Sequence, residues 1–232
     1  MQMTIYTADC QGRASNSIYP HRHVITNADE FKSAILNDHV CALFKNHHRA
    51  TSDFIESDVV VMDCDNDHSE VPEEWITPEK MEELFGDFSY AIAFSRNHMK
   101  VKDGKSERPR FHVYFQIEEI TDEKVYAGLK IAIQKQYTFF DDNALDAARF
   151  IFGADTGEVI WHEGWMTIDE EISPEYSDEG SDAAAGQTGA SSGPILQGSR
   201  NNTMSRFAGL YGMDWLGMAV TQKEAKALDK VL

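Results

Sequence analysis

The chain has 232 residues, with 39 Asp and Glu against 21 Lys and Arg, so its formal charge is −18. Hydrophobic residues make up 42% of it, and 13 Phe, 8 Tyr and 4 Trp supply bulky core anchors, which excludes wholesale disorder and leaves room for one full domain with a small second one. The acidity excludes a protein that coats nucleic acid by bulk attraction, but it leaves open a local basic groove.

Asn27 with Glu30 three residues on reads as a helix start, and Phe31, Ala34 and Ile35 give that helix a buried stripe. Val40–Lys45 is expected as a strand. Asp58–Met62 (DVVVM) is a continuous β-branched run that predicts a central strand buried on both faces and ending in acid. Thr77 and Pro78 are an N-cap and first-turn pair for a helix through Phe85, and Tyr90–Ser95 and Phe111–Ile117 are the next strands. Thr121 is expected to cap a helix through about Gln136. Arg149–Phe152 and Val159–Trp161 then close the sheet, with Trp161 and Trp165 packing its last strand. Residues 169–182 carry seven carboxylates and no Lys or Arg, and AAAGQTGASSG follows, a composition that reads as a flexible linker. Beyond it a helix is expected across Met204–Leu216, and Thr221 with Glu224 opens a last one. Helices and strands interleave with hairpin-length connections, so the expected class is α+β with a mixed or antiparallel sheet.

No apolar run approaches the ~18 residues of a membrane span. The N-terminus lacks a signal-peptide pattern, and Cys10, Cys41 and Cys64 are too few and scattered for a disulfide framework. The expectation is a cytoplasmic protein with no membrane partner.

Three patches carry chemistry. Asp63-Cys64-Asp65 ends the β-branched run, and strand alternation puts both carboxylates on one face, where hard oxygen donors select Mg²⁺ or Mn²⁺. The rival reading is an ordinary acidic turn. Residues 96–110 hold six Lys and Arg against two acids, a local inversion of charge suited to polyphosphate or a nucleic-acid backbone, with a solvated surface as the rival. In FDDNALDAARFIFG, residues 140–153, an aspartate can complete a three-carboxylate set while Arg149 faces an anion. Alternatively Asp141 and Asp142 cap a short helix and Arg149 pairs with Asp146.

Taken in order, MDCDN, RPRFHVYF and FDDNALDAARFIFG resemble the three motifs of the archaeo-eukaryotic primase superfamily, the primase-polymerases of phages and mobile elements. By that resemblance Asp63 and Asp65 fall on the first motif, His112 on the histidine of the second, and Asp141, or alternatively Asp142, on the third. Arg149 matches the arginine that follows the third motif and contacts the triphosphate. Arg110 stands where the family has a serine. The segment SRNHMK is similar to one in phage members and implies nucleotide contacts from Ser95, His98 and Lys100. The resemblance implies an RRM-like sheet core with an N-terminal α/β part, in a catalytic domain over 1–170. A linker follows over 171–194, and 195–232 resembles part of the helical primase C-terminal module, which allows that the chain is a piece of a longer primase-helicase. The implied activity is template-dependent nucleotidyl transfer of NTPs or dNTPs on single-stranded DNA, using two Mg²⁺ or Mn²⁺ ions on Asp63, Asp65 and Asp141. A helicase domain or protein is the implied further partner.

Other readings compete. A non-catalytic single-stranded nucleic-acid-binding module would use the basic hairpin with Tyr114 and Phe115 as stacking surfaces. A haloacid-dehalogenase-type phosphatase also places Asp-x-Asp after an apolar strand, but Asp67 stands where it wants Thr or Val. A rolling-circle nickase is suggested by His21-Arg22-His23, though Arg22 is not the apolar residue that its histidine pair flanks. His21, His23, His47 and His48 lack paired Cys at zinc spacing and read better as surface residues or N-terminal template contacts, with Lys45 and Arg49 nearby.

Overall fold

The computed structural model describes residues 1–143, 145–155 and 157–174. Most of the expected linker and all of 195–232, with its two expected helices, lie outside the described residues.

The organising element is a long strand, Phe54–Cys64, whose alternation serves two cores. Val60, Met62 and Cys64 point to one side and Val59 and Val61 to the other, all of them buried. Each such apolar side chain contributes about 1.5–3 kcal/mol by leaving water, which fixes the register of this strand against a one-residue slip. The β-branched run thus forms a strand covered on both faces, longer at each end than Asp58–Met62.

In chain order the strands are β1 (Met3–Thr7), β2 (His21–Ile25), β3 (His39–Val40), β4 (Leu43–Phe44), β5 (Phe54–Cys64), β6 (Tyr90–Phe94), β7 (Phe111–Ile120), β8 (Phe150–Ile151) and β9 (Val159–His162). The helices are α1 (Ala28–Ala34), α2 (Pro78–Phe85), α3 (Glu123–Gln136) and α4 (Ile168–Glu171). They build a mixed α+β fold with two antiparallel sheets, ordered β2-β1-β3-β8 and β4-β5-β7-β6-β9. One core lies between the second sheet and α2, α3 and α4, and takes in Met81, Phe85, Leu129, Ile133, Ile168 and Ile172. A second lies between the two sheets and α1, around Ile5, Phe31, Val61 and Tyr114. A third, around Tyr6, Tyr19, Val40 and Phe44, covers the outer face of the first sheet.

Several expectations are corrected. Val40–Lys45 is not one strand: β3 belongs to the first sheet and β4 to the second, and Cys41 and Ala42 carry the chain between them, with the Ser57 hydroxyl donating to the Cys41 carbonyl at 2.6 Å. Segments 149–152 and 159–161 contribute to different sheets rather than closing one. Helix α3 is capped by Asp122, not Thr121; its carboxylate accepts from the amides of Lys124 and Val125 at 2.8 and 3.1 Å. Trp165 is 71% exposed and donates to Asp87 instead of packing the last strand. The caps at Asn27 and Thr77 form as the spacing predicts, each accepting from an amide three residues on.

Candidate active site

Where β5 ends, its inter-sheet face changes from valine to Asp63. The antiparallel register sets Asp63 directly opposite His112 on β7, and His112 in turn opposite Ala93 on β6, whose small side chain leaves the imidazole free to lean on the acid. The His112 Nδ1–Asp63 Oδ1 distance is 2.6 Å. From the other sheet Arg149, just before β8, donates to Asp63 Oδ2 at 2.6 Å. Asp63 is almost fully buried, where an unpaired carboxylate would cost several kcal/mol. Burial opposes its ionisation, but His112, Arg149 and Lys130 outweigh it and hold the carboxyl well below the usual range.

Lys130, fully buried on α3, donates to the Asp146 carbonyl at 3.2 Å. Burial pushes it down to about 8, against the pull of Asp63 and Asp146. One alternation step beyond His112, the Tyr114 hydroxyl lies 2.7 Å from His39 Nε2, and burial pushes His39 down to about 4, so the imidazole is neutral.

Asp65 is met by Lys102 at 2.7 Å and Asp67 by Lys105 at 2.9 Å. Asn66 between them is fully buried with φ +54, a left-handed conformation that asparagine tolerates. Its amide donates to the carbonyls of Ile76 and Pro109, both at 2.8 Å, and accepts from the Ile76 amide at 2.7 Å. Arg108, also fully buried, donates to the carbonyls of Asn66 and Ser69 and lies over Trp75. These bonds clasp the loop after β5 to the 96–110 hairpin and so set where Asp65 points. Asp141 joins through its amide, 2.9 Å from the Asp63 carbonyl. Burial, then the charges of Asp65 and Asp63, raise its pKa.

Asp63, Asp65, Asp141, His112, Arg149 and Ser95 line a single cavity of about 280 Å³, together with Arg96, Asn97, Lys102 and the 150–152 segment. Six of the nine sequence-predicted site residues therefore meet. The other three stand outside this lining. Arg110 is fully buried within the hairpin, its Nη1 donating to the carbonyls of Asn97 and Lys100 at 3.3 and 2.7 Å, and it does not reach the cavity lining. His98 packs on Phe94 and bonds the Arg110 backbone, and Lys100 donates to the Arg96 carbonyl. Asp142 is exposed and is not in the lining. Lys102, Arg96 and Lys130 carry charge at or beneath the site and were not singled out by motif; six basic residues in one hairpin give no sequence signal for which of them turns inward.

Three hard carboxylates on one cavity are a donor set suited to Mg²⁺ or Mn²⁺. Two of them are held by Arg149, His112 and Lys102, and among the described residues no three His, Cys, Asp or Glu side chains stand in ligating geometry. The chemistry of the set fits a divalent ion once Arg149 and Lys102 turn away. Among the described residues no helix is long and apolar enough to cross a membrane.

No protein-family model matches the chain, and no curated protein matches it. Among solved structures it is similar to the AEP domain of the primase-polymerase of cyanophage S-2L, with 14% identity over 70% of this chain and 82% of that one and a TM-score of 0.39.

Proposed function

We propose that the cavity is a nucleotidyl-transfer site and that the protein is a primase-polymerase joining NTPs or dNTPs on a single-stranded DNA template. In this reading the second sheet with α2 and α3 is the RRM-like catalytic core, residues 1–170 are the catalytic domain, 171–194 a linker and 195–232 part of a helical module that accompanies a helicase. The observation that carries the proposal is one cavity lined by Asp63, Asp65 and Asp141 and rimmed by Arg149, Lys102, Arg96 and His112. Acid and base in that proportion suit a phosphoanhydride: carboxylates for cations, cations for phosphate oxygens.

Asp63, Asp65 and Asp141 would hold the divalent ions, which when bound supply charge neutralisation at the attacking and leaving oxygens of an in-line displacement. Arg149 and Lys102 exchange their carboxylate partners for the triphosphate and orient it. His112 keeps one ring nitrogen on Asp63 and leaves the other for a phosphate oxygen. Base pairing with the template selects the nucleotide.

The test is primer synthesis and primer extension on single-stranded DNA with Mg²⁺ or Mn²⁺, comparing the full chain with Asp63→Ala/Asp65→Ala. Metal-dependent products that vanish in the variant are expected. No product from either chain, alongside metal-independent DNA binding, would replace this reading with a non-catalytic binding module.

A further inference from the structure

At the lip of the cavity four planar groups follow one another. The Arg96 guanidinium lies 4.1 Å from the centroid of the Phe152 ring; Phe152 meets Phe150 edge to face at 4.9 Å; and Arg49 covers Phe150 at 4.7 Å, tied down by a hydrogen bond to the Ala148 carbonyl. Phe150 has a packing role, against the core on the outer face of the first sheet. Phe152 belongs to none of the three cores, is half-buried, and is held between Phe150 and an exposed arginine. Apolar stability alone does not account for a ring placed there. Phe150, Phe152 and Arg96 all line the cavity, whereas Arg49 does not, so the row starts in the site and leads out of it.

We infer that this row is the surface that receives the single-stranded nucleic acid at the catalytic cavity, with an unpaired base packing against Phe152 and Arg96 and the backbone phosphates following Arg96 and Arg49. The purpose of the strand, as template, rests on the nucleotidyl-transfer reading; the surface itself does not. In a chain of charge −18, alternating guanidinium and phenyl groups are a local departure that matches a polyanion carrying flat rings. Arginine planes and phenyl rings both accept a nucleobase face, without regard to its identity. A duplex hides those faces in its own stack, so the occupant is a single strand.

The experiment measures affinity by fluorescence anisotropy with the full chain, in EDTA so that no divalent ion bridges the carboxylates to the strand, for an oligothymidine and for an abasic strand of equal length and charge, on which any carboxylate repulsion acts alike. The parent is expected to prefer the strand that has bases. Phe152→Leu, which keeps an apolar side chain, is expected to weaken oligothymidine binding about 5- to 150-fold, the worth of one stacked base, while leaving the abasic strand unchanged; Phe152→Tyr restores the preference. Equal oligothymidine affinity for Phe152→Leu and the parent, or no preference in the parent, overturns the inference, as does a Phe152→Leu effect confined to the nucleotide KM. Asp63→Asn/Asp65→Asn separates the two readings because it is expected to abolish transfer and keep the preference. A parent that makes no product yet shows a Phe152-dependent preference leaves the strand surface standing without the nucleotidyl-transfer reading, and product without the preference does the reverse.

Discussion

Replacing Asp38 by Asn tests how the site's rim is held. Asp38 is fully buried at the start of β3; its Oδ1 accepts the amides of Gly12 and Gly153, and its Oδ2 the amide of Arg13, each at 2.8 Å. Its own amide donates to the Cys10 carbonyl, and its carbonyl accepts from Ala8, so one residue ties the 8–13 loop to the chain just past Phe152. An asparagine has one oxygen and one NH₂, so at least one of the three amides must face a donor. A hydrogen bond to a charged acceptor is worth about 1.5–3 kcal/mol. Gly12 and Arg13 are exposed and can turn to water, whereas Gly153 is buried and cannot. One bond lost and two weakened come to about 2–4 kcal/mol, a large share of the ~5–15 kcal/mol typical of a domain. Burial opposes the charge on Asp38, but the amides of Gly153, Arg13 and Gly12 outweigh it and hold its pKa below the ordinary carboxylate value. A carboxyl lowered on folding stabilises above its unfolded pKa and loses that contribution as the pH falls through the folded one. The deficit of Asp38→Asn should therefore be full at neutral pH and shrink below about pH 4. Urea unfolding followed by tryptophan fluorescence measures it. A variant within ~0.5 kcal/mol of the parent at neutral pH, or a deficit that does not shrink in acid, would refute the reasoning.

Gly153→Ala should destabilise by at least as much as a core overpacking, about 1–3 kcal/mol, because a Cβ there would sit 2.3 Å from the Leu36 carbonyl oxygen and 2.4 Å from Asn37 backbone carbon; an unchanged Tm would count against the described backbone path. Under the proposed nucleotidyl transfer, in which Lys102 exchanges its half-exposed pairing with Asp65 for phosphate, Lys102→Met should raise the nucleotide KM about tenfold with a smaller effect on kcat; steady-state kinetics check this, and a pure kcat loss would place Lys102 elsewhere in the reaction. His39, pushed down to about 4 by burial, takes up its proton only on unfolding, so stability should fall by about 3 kcal/mol as the pH drops from about 6.5 to about 4. Unfolding free energies of the parent and His39→Gln across that range test it, with identical slopes as the contrary result.

What the sequence made legible follows from how local each signal is. Asp63 and Asp65 stood out because a β-branched run has only one buried-strand reading and its end is abrupt. The caps at Asn27 and Thr77 depend on residues three apart, and they form. β1 escaped notice because MTIYT buries Thr4, whose amide and hydroxyl are both satisfied by Asp58, more than fifty residues away, and β2 because four of its five residues are exposed. Within the basic hairpin the sequence pointed to Lys100 and Arg110, yet Arg108 and Arg110 are buried clasps, Lys105 pairs with Asp67 and Lys102 reaches the cavity, a division set by carbonyls and carboxylates that no local pattern encodes. Lys130 lies within the expected helix through Gln136 and carries no motif of its own. Only the packing of α3 on β5 turns it into a charge beneath Asp63.

Asp63 ends a strand of one sheet and Arg149 leads into a strand of the other, and the chain first passes between those sheets at Cys41 and Ala42. Either sheet alone would hold half a site: Asp63 with His112 but without Arg149, or an arginine with nothing to meet. In the proposed reading the chemistry therefore belongs to the two sheets packed together and to neither one by itself.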